Sequence, residues 1–245
     1  MRIPRIHTQQ LLQPHSTIEL ETGPSQHLAR ALRMQAGNEL VLFDGRGGEY
    51  PALIASLDKK NVSAVTAEHR DTDVESPLSI HLGIAVSRGE RMDWVVQKTT
   101  ELGVSAITPL LTERTDVKLS GERAEKKIRH WQQVAISACE QCGRNRVPRI
   151  ATLQQLSHWL EQTEADRKLV LHHRADDLSG HGNTQPKSLA LLIGSEGGLS
   201  DFEISLAEQA SFQSLRLGSR VLRTETAPLA AIAILQARWG DMGLC

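Results

Sequence analysis

Over residues 1–70 the hydrophobic positions come in short, partly alternating runs; beyond them the apolar blocks lengthen and switch between two periods. Arg2–Ile6, Thr17–Glu21, Glu39–Phe43, Tyr50–Leu57 and Asn61–Glu68 carry the two-residue alternation of half-buried strands. Turn signals separate them: Gly23-Pro24, Gly37-Asn38 and the glycine-rich Asp44–Gly48. Ser25–Met34 is the one helix-like insert, with Leu28 and Leu32 spaced for a single face. Short strands joined by glycine turns predict a small β-barrel over residues 1–70. The polar, acidic stretch 71–77, closed by Pro77, predicts a linker.

From Leu78 strand-like and helix-like patterns alternate. Strands are predicted at Leu78–Val86, Val104–Leu111, Lys168–His172, Leu189–Gly194 and Ser214–Leu217. Helices are predicted at Met92–Leu102, Gly121–Cys142, Leu153–Glu161, Asp201–Gln209 and Ala227–Trp239. In the long helix Ile128, Trp131, Ala135 and Ala138 share one side. Pro228 falls in the first turn of the last helix, where its missing N–H costs least. Such alternation predicts an α/β domain over residues 78–245, a mainly parallel sheet with helices on both faces. Arg174–Lys187 reads as a mobile loop.

Composition sets limits on function. With 40% hydrophobic and 23% charged residues the chain has an ordinary globular balance. It contains no apolar run of membrane-spanning length and no secretory h-region near Met1. Three cysteines, Cys139, Cys142 and Cys245, fit a reducing, cytoplasmic setting better than a disulfide framework. The net charge is −1, yet Thr112–Arg149 holds nine Lys/Arg against five acids, a local excess of four. A field of that sign suits a phosphate backbone, although a solvated helix face of mixed charge would look the same. Aromatics are only 3%, so platforms for stacking bases must be few.

The candidate chemistry lies in the last quarter. Two apolar strands end in polar, glycine-containing loops, at Gly194-Ser-Glu-Gly-Gly198 and across Leu217–Ala227. Adjacent strand ends of this kind form a cleft of exposed backbone N–H and C=O groups, suited to a flat heterocycle and its ribose. The first loop lacks both the Lys-Ser/Thr of a P-loop and a dinucleotide fingerprint, and alone could be a tight turn. In the second, Arg220, Arg223 and Glu225 stand where ligands of α/β sheets bind, or form an ion pair that pins the loop. Lys98 and Glu101 read as a solvated helix pair. Cys139-Glu-Gln-Cys142 has metal-ligand spacing but no second pair, which favours two ordinary half-buried thiols and no metal.

Taken together, Gln97-Lys98…Glu101-Leu-Gly103, Glu140-Gln141…Arg144, Ile193–Gly198 and Leu217–Ala227 resemble the bacterial 16S rRNA (uracil-N3)-methyltransferases of the SPOUT class. The resemblance spans nearly the whole chain, and its last motif is the specific one. It implies a SPOUT-type knotted parallel-sheet methyltransferase domain, its carboxyl-terminal segment threaded as a trefoil knot, behind a PUA-like barrel that helps hold RNA. It implies a homodimer, S-adenosylmethionine as cofactor, and methylation of N3 of one uridine in 16S rRNA or the small ribosomal subunit. Two positions depart from the family pattern: Ser195 replaces the usual proline of the knot loop, and Cys142 a common serine.

For the cofactor, the resemblance implies Leu171 and His172, then Ile193, Gly194, Glu196 and Gly197, then Leu217, Gly218, Val221, Leu222 and Thr224. Uracil N3 ionises only well above neutral pH, so the reaction needs a base or cations that stabilise anionic uracil oxygens. Arg220 and Arg223 are candidates for the cations and Glu225 for the base. Arg2, Arg5, Arg30 and Arg33 of the first domain are candidate RNA contacts, as are Arg88, Arg91, Arg114 and Arg144 of the second. Two other readings share these surfaces: a ribosome-assembly RNA-binding factor without catalysis, and a SPOUT methyltransferase acting on another RNA.

Overall fold

A computed structural model describes residues 3–58, 61–117, 119–172 and 185–243. Arg2, and the part of the expected 174–187 loop up to residue 184, lie outside the described residues. The chain divides into two compact units, Met1–Glu75 with Ile136–Val147, and Ser76–Ala135 with Pro148–Cys245.

The first unit contains a five-stranded sheet. Its strands are β1 (Arg5–His7), β2 (Thr17–Glu19), β3 (Glu39–Phe43), β4 (Tyr50–Leu57) and β5 (Val62–Thr66), in the order β1-β3-β4-β5-β2. β1 runs parallel to β3, and the remaining ladders are antiparallel. In β5, Val62, Ala64 and Thr66 are buried while Val65 is exposed, the period-two pattern of a sheet with one wet face. Ile6, Ile18, Leu40, Leu42, Ile54 and Ala64 bring all five strands into one apolar cluster. The helical insert starts earlier than expected, as α1 (Thr22–Gln26), and continues through a π-helical turn at His27–Ala31. That turn corrects the expected face. Leu32 N–H bonds back to the His27 carbonyl, an i→i+5 step, so Leu28 is buried and Leu32 is 41% exposed.

The second unit is built on a parallel sheet. Its strands are β6 (Ser79–Ala85), β7 (Val104–Leu111), β8 (Arg149–Ile150), β9 (Gln154–Gln155), β10 (Arg167–Leu171), β11 (Ser188–Ile193) and β12 (Gln213–Leu215). The order is β12-β10-β11-β6-β7-β8, with β9 also beside β7. The helices are α2 (Arg91–Glu101), α3 (Gly121–Cys142, whose last residues belong to the first unit), α4 (Leu156–Gln162), α5 (Asp201–Gln209) and α6 (Thr226–Trp239). β8 and β9 escaped the sequence pattern because two residues carry no periodicity. Five of the six residues of β11 are buried, as a strand covered on both faces requires. One face packs Ala190, Leu192 and Val170 against Trp159 of α4 and Ile204 of α5. Leu189 and Leu191 point the other way and are equally buried. Asp93 of α2 accepts hydrogen bonds from Trp131 Nε1 (2.9 Å) and His130 Nε2 (2.7 Å) of α3.

Under α4, Trp159 Nε1 and Thr108 Oγ1 both meet His81 Nε2, at 3.4 and 2.8 Å. An indole N–H only donates, so Nε2 accepts and the imidazole is neutral, its proton on Nδ1. Burial, helped by Arg149, lowers the His81 pKa below its ordinary 6.5. The unfolded chain therefore binds the extra proton first as pH falls. Stability from this site is complete above pH 6.5 and declines as pH drops through the folded-state pKa. Urea midpoints of this unit measured against pH should show that acid limb, and His81→Gln should flatten it.

Candidate active site

Four strand ends converge at the carboxyl edge of the parallel sheet, where open α/β sheets bind ligands. β10 delivers Leu171 and His172, and β11 delivers Ile193 and the Gly194–Gly198 loop. β12 leads into Leu217, Gly218, Arg220, Val221, Leu222 and Thr224, and the loop after β7 adds Arg114. Together they line a cavity of about 230 Å³. Every residue expected from the sequence to touch a cofactor lies on this wall, as does Arg220. The lining is mixed. Leu171, Ile193, Leu217 and Leu222 supply apolar surface, while Thr224 and the backbone of two glycine-containing loops supply polar groups.

The Gly194–Gly198 loop is held from several directions. Gly198 N–H donates to the Ser195 carbonyl at 2.9 Å and closes the turn. Ser195 Oγ donates to the Arg114 carbonyl at 2.8 Å, and Arg114 Nη1 donates to the Gly197 carbonyl at 2.9 Å. The Glu196 carboxylate accepts from Arg88 N–H (3.1 Å) and Arg91 Nη1 (2.6 Å). Burial pushes the Glu196 pKa up, but the backbone N–H groups of Glu196 and Arg88 and the Arg91 guanidinium outweigh it, so the carboxyl lies below its ordinary range. The helix that follows the loop carries its own cap. The N-terminus of α5 beyond it is closed by a capping box in which Ser200 Oγ accepts from Glu203 N–H and Glu203 accepts from Ser200 N–H.

Ser195 thus pins the loop by other means than a proline would. Ser195 is 6% exposed, and its hydroxyl replaces a ring's restraint on φ with a hydrogen bond to the neighbouring loop. A neutral hydrogen bond of this kind is worth about 1 kcal/mol. Ser195→Ala should weaken cofactor binding about fivefold on that figure, with the fold intact, as read by calorimetric titration.

Beside the cavity lies an open cleft of about 700 Å³ lined by Arg88, Gly89, Glu90, Arg91, Trp94 and Glu225. Arg91 joins the two spaces, with Nη1 2.6 Å from Glu196 and Nε 3.7 Å from Glu225. The ion pair that could pin the 217–227 loop therefore exists, but its arginine comes from α2 rather than from Arg220 or Arg223. Arg223 is exposed and lines neither space; its carbonyl accepts the first N–H groups of α6.

Two of the expected RNA-contacting arginines are corrected. Arg5 is bonded to Glu49 at 2.5 Å and to Asn145, its side chain 13% exposed. Arg144 is 4% exposed and holds both oxygens of Glu75. Each carboxylate answers a guanidinium taken out of water, and neither cation is presented to a nucleic acid. Arg30, Arg33, Arg88 and Arg114 are exposed, and Arg91 is partly so. Lys98 and Glu101 form the expected pair at 2.8 Å. Cys139 is more deeply buried than expected, its thiol pushed up to about 12 mainly by that burial. Among the described residues no cluster of three or more His, Cys, Asp or Glu could hold a metal, and no helix is long and apolar enough to cross a membrane. Sequence reading missed the Arg91–Glu225 link and the place of Trp94, whose one legible signal was a tryptophan in the first turn of a mostly polar helix.

Residues 74–236 match a family of RNA methyltransferase domains, and residues 25–66 match the RNA methyltransferase PUA domain. The chain is 36% identical over 242 residues to the ribosomal RNA small subunit methyltransferase E of Buchnera aphidicola, covering 98% of each chain. It is 30% identical to the Bacillus subtilis protein of the same name, covering 93% of each. Among solved structures, a Legionella pneumophila methyltransferase in complex with S-adenosylmethionine superposes with a TM-score of 0.94 at 43% identity, over 98% of this chain and 100% of that one. The Neisseria gonorrhoeae small subunit methyltransferase E, bound to S-adenosylmethionine, gives 0.90 at 39% identity, over 98% and 99%.

Proposed function

This chain belongs to the ribosomal RNA small subunit methyltransferase E family, and on that premise we propose that it methylates N3 of a uridine in small-subunit (16S) rRNA with S-adenosylmethionine as donor. The observation that carries the reading is the pairing of two spaces: a mixed apolar and backbone-lined cavity at the strand ends, and a cleft holding Glu225 next to it. The cavity fits the donor's parts. Leu171, Ile193 and Leu222 offer apolar walls for adenine, and the 193–198 and 217–222 loops offer backbone groups for the ribose and the methionine part. When bound, S-adenosylmethionine supplies a methyl group on a positively charged sulfur, which keeps the electron pair of the broken bond.

The protein's own work is to position the base and remove the N3 proton. The Glu225 carboxylate takes that proton, and its neighbour Arg91 keeps it oriented at the cleft. Arg220, exposed at the cavity rim, is placed to stabilise negative charge on a uracil oxygen. The segment between β12 and α6 would thread as a trefoil knot, as the SPOUT class implies. A homodimer fits the same surface: the apolar strip of Leu217, Leu222 and the 53% exposed Ile234 borders the cavity and suits a second copy.

The test is nucleoside mass analysis of small-subunit rRNA from a strain lacking the protein, before and after incubation with purified enzyme and donor. Restoration of 3-methyluridine at one position supports the proposal. A methyl group on a ribose, on another base or in another RNA overturns the assignment, and donor binding without any transfer marks a silent RNA-binding factor. Because phosphate contacts dominate affinity, RNA binding should weaken steeply with salt, as titrations between low and moderate ionic strength would show.

A further inference from the structure

We propose that the cleft of Arg88, Gly89, Glu90, Arg91, Trp94 and Glu225 receives the unstacked target uracil, with the Trp94 indole as its stacking platform. The inference rests on the reading of this chain as an RNA methyltransferase and assigns the base subsite within it.

Trp94 is unlike the other tryptophans. Trp131 and Trp159 are 2% exposed and Trp239 is 7%, whereas Trp94 is 50% exposed and forms part of the cleft wall. A half-wet indole in the wall of a cleft offers apolar ring surface on which a base can stack. Lys98 Nζ lies 5.1 Å from the ring centroid and is itself held by Glu101, which restrains the ring's setting.

The polar groups of the cleft then select the base. Arg91 and Glu225 set a donor and an acceptor 3.7 Å apart. The uracil imide edge presents an N–H between two carbonyls, so a carboxylate can accept from N3–H while a guanidinium donates to a flanking oxygen. Cytosine carries a lone pair at N3 and would face the carboxylate with no proton to share. Arg88 forms an ion pair with Asp116 in which both side chains are 66% exposed. Such a surface pair is weak, and Arg88 can exchange Asp116 for the phosphate of an entering nucleotide. Arg91 also bonds Glu196 on the cavity wall, so the base cleft and the cofactor cavity adjoin at this residue.

The experiment titrates wild type, Trp94→Phe, Trp94→Leu and Trp94→Ala with oligouridylate and oligocytidylate. Binding is followed by anisotropy, indole emission by fluorescence, cofactor affinity by calorimetry and self-association by sedimentation. We expect oligouridylate to quench wild-type emission and to lose this effect in Trp94→Phe. Trp94→Ala and Trp94→Leu should bind oligouridylate about tenfold more weakly, Trp94→Phe should recover most of the loss, and oligocytidylate should bind less well than oligouridylate. Cofactor affinity should stay at the wild-type value. Equal binding by all four proteins, absence of quenching, or a change confined to self-association would overturn the proposal, the last by showing that the ring faces a second copy. If the quenching and binding pattern holds while no methyl group reaches rRNA, the cleft assignment stands and the reaction assignment fails.

Discussion

Glu225→Gln is expected to lower kcat by about a hundredfold or more while leaving cofactor affinity at the wild-type value. The substitution keeps the shape of the side chain and removes its capacity to take a proton. Arg91 still bonds Glu196 at 2.6 Å, so the link between the cleft and the cavity wall survives. The 3.7 Å contact between Arg91 and Glu225 loses its charge, and this is a modest change for groups 40% and 27% exposed. Single-turnover transfer from labelled donor to small subunits measures the chemical step directly. A variant with wild-type kcat would mean that another group, or solvent, removes the N3 proton, and would confine Glu225 to holding Arg91.

The second large effect is on the cofactor. Gly194→Ala is expected to weaken S-adenosylmethionine binding by about tenfold to a hundredfold, as overpacking strain of about 1–3 kcal/mol implies. A β-carbon at Gly194 would stand 2.7 Å from the Gly198 carbonyl carbon and 2.8 Å from Leu199 N. Both are backbone atoms, so relief requires opening the turn that Gly198 N–H closes on the Ser195 carbonyl. Opening the turn moves Glu196, and with it the bond to Arg91. Circular dichroism should be unchanged while the calorimetric dissociation constant rises. Full affinity in a well-folded variant would show that the turn does not form the cofactor wall.

The second unit's architecture was legible because its strands and helices are long enough to show their periods. β7, α3 and α5 lie where the alternation of apolar residues puts them. The cavity residues were legible because glycines and polar residues interrupt apolar strands at Gly194 and Gly218, where the latter's φ of +69° favours a residue without a β-carbon. What stayed hidden depends on partners distant in sequence. Nothing near Arg5 or Arg144 in sequence marks Glu49 and Glu75 as their buried counterions, so both arginines read as candidate RNA contacts. Arg91 and Glu225 are 134 positions apart, and only the convergence of β6 and β12 loops at one sheet edge joins them. Leu32 failed for a local reason, since a π turn looks like an α turn in sequence.

The central claim is that the strand-end cavity is a saturable site for the sulfonium donor. Calorimetric titration of the purified protein with S-adenosylmethionine, repeated in the presence of S-adenosylhomocysteine, tests it most directly. The expected result is one site per chain, competition by the product, and weakened heat in Gly194→Ala. No binding by the folded wild-type protein, or binding indifferent to that substitution, would contradict it.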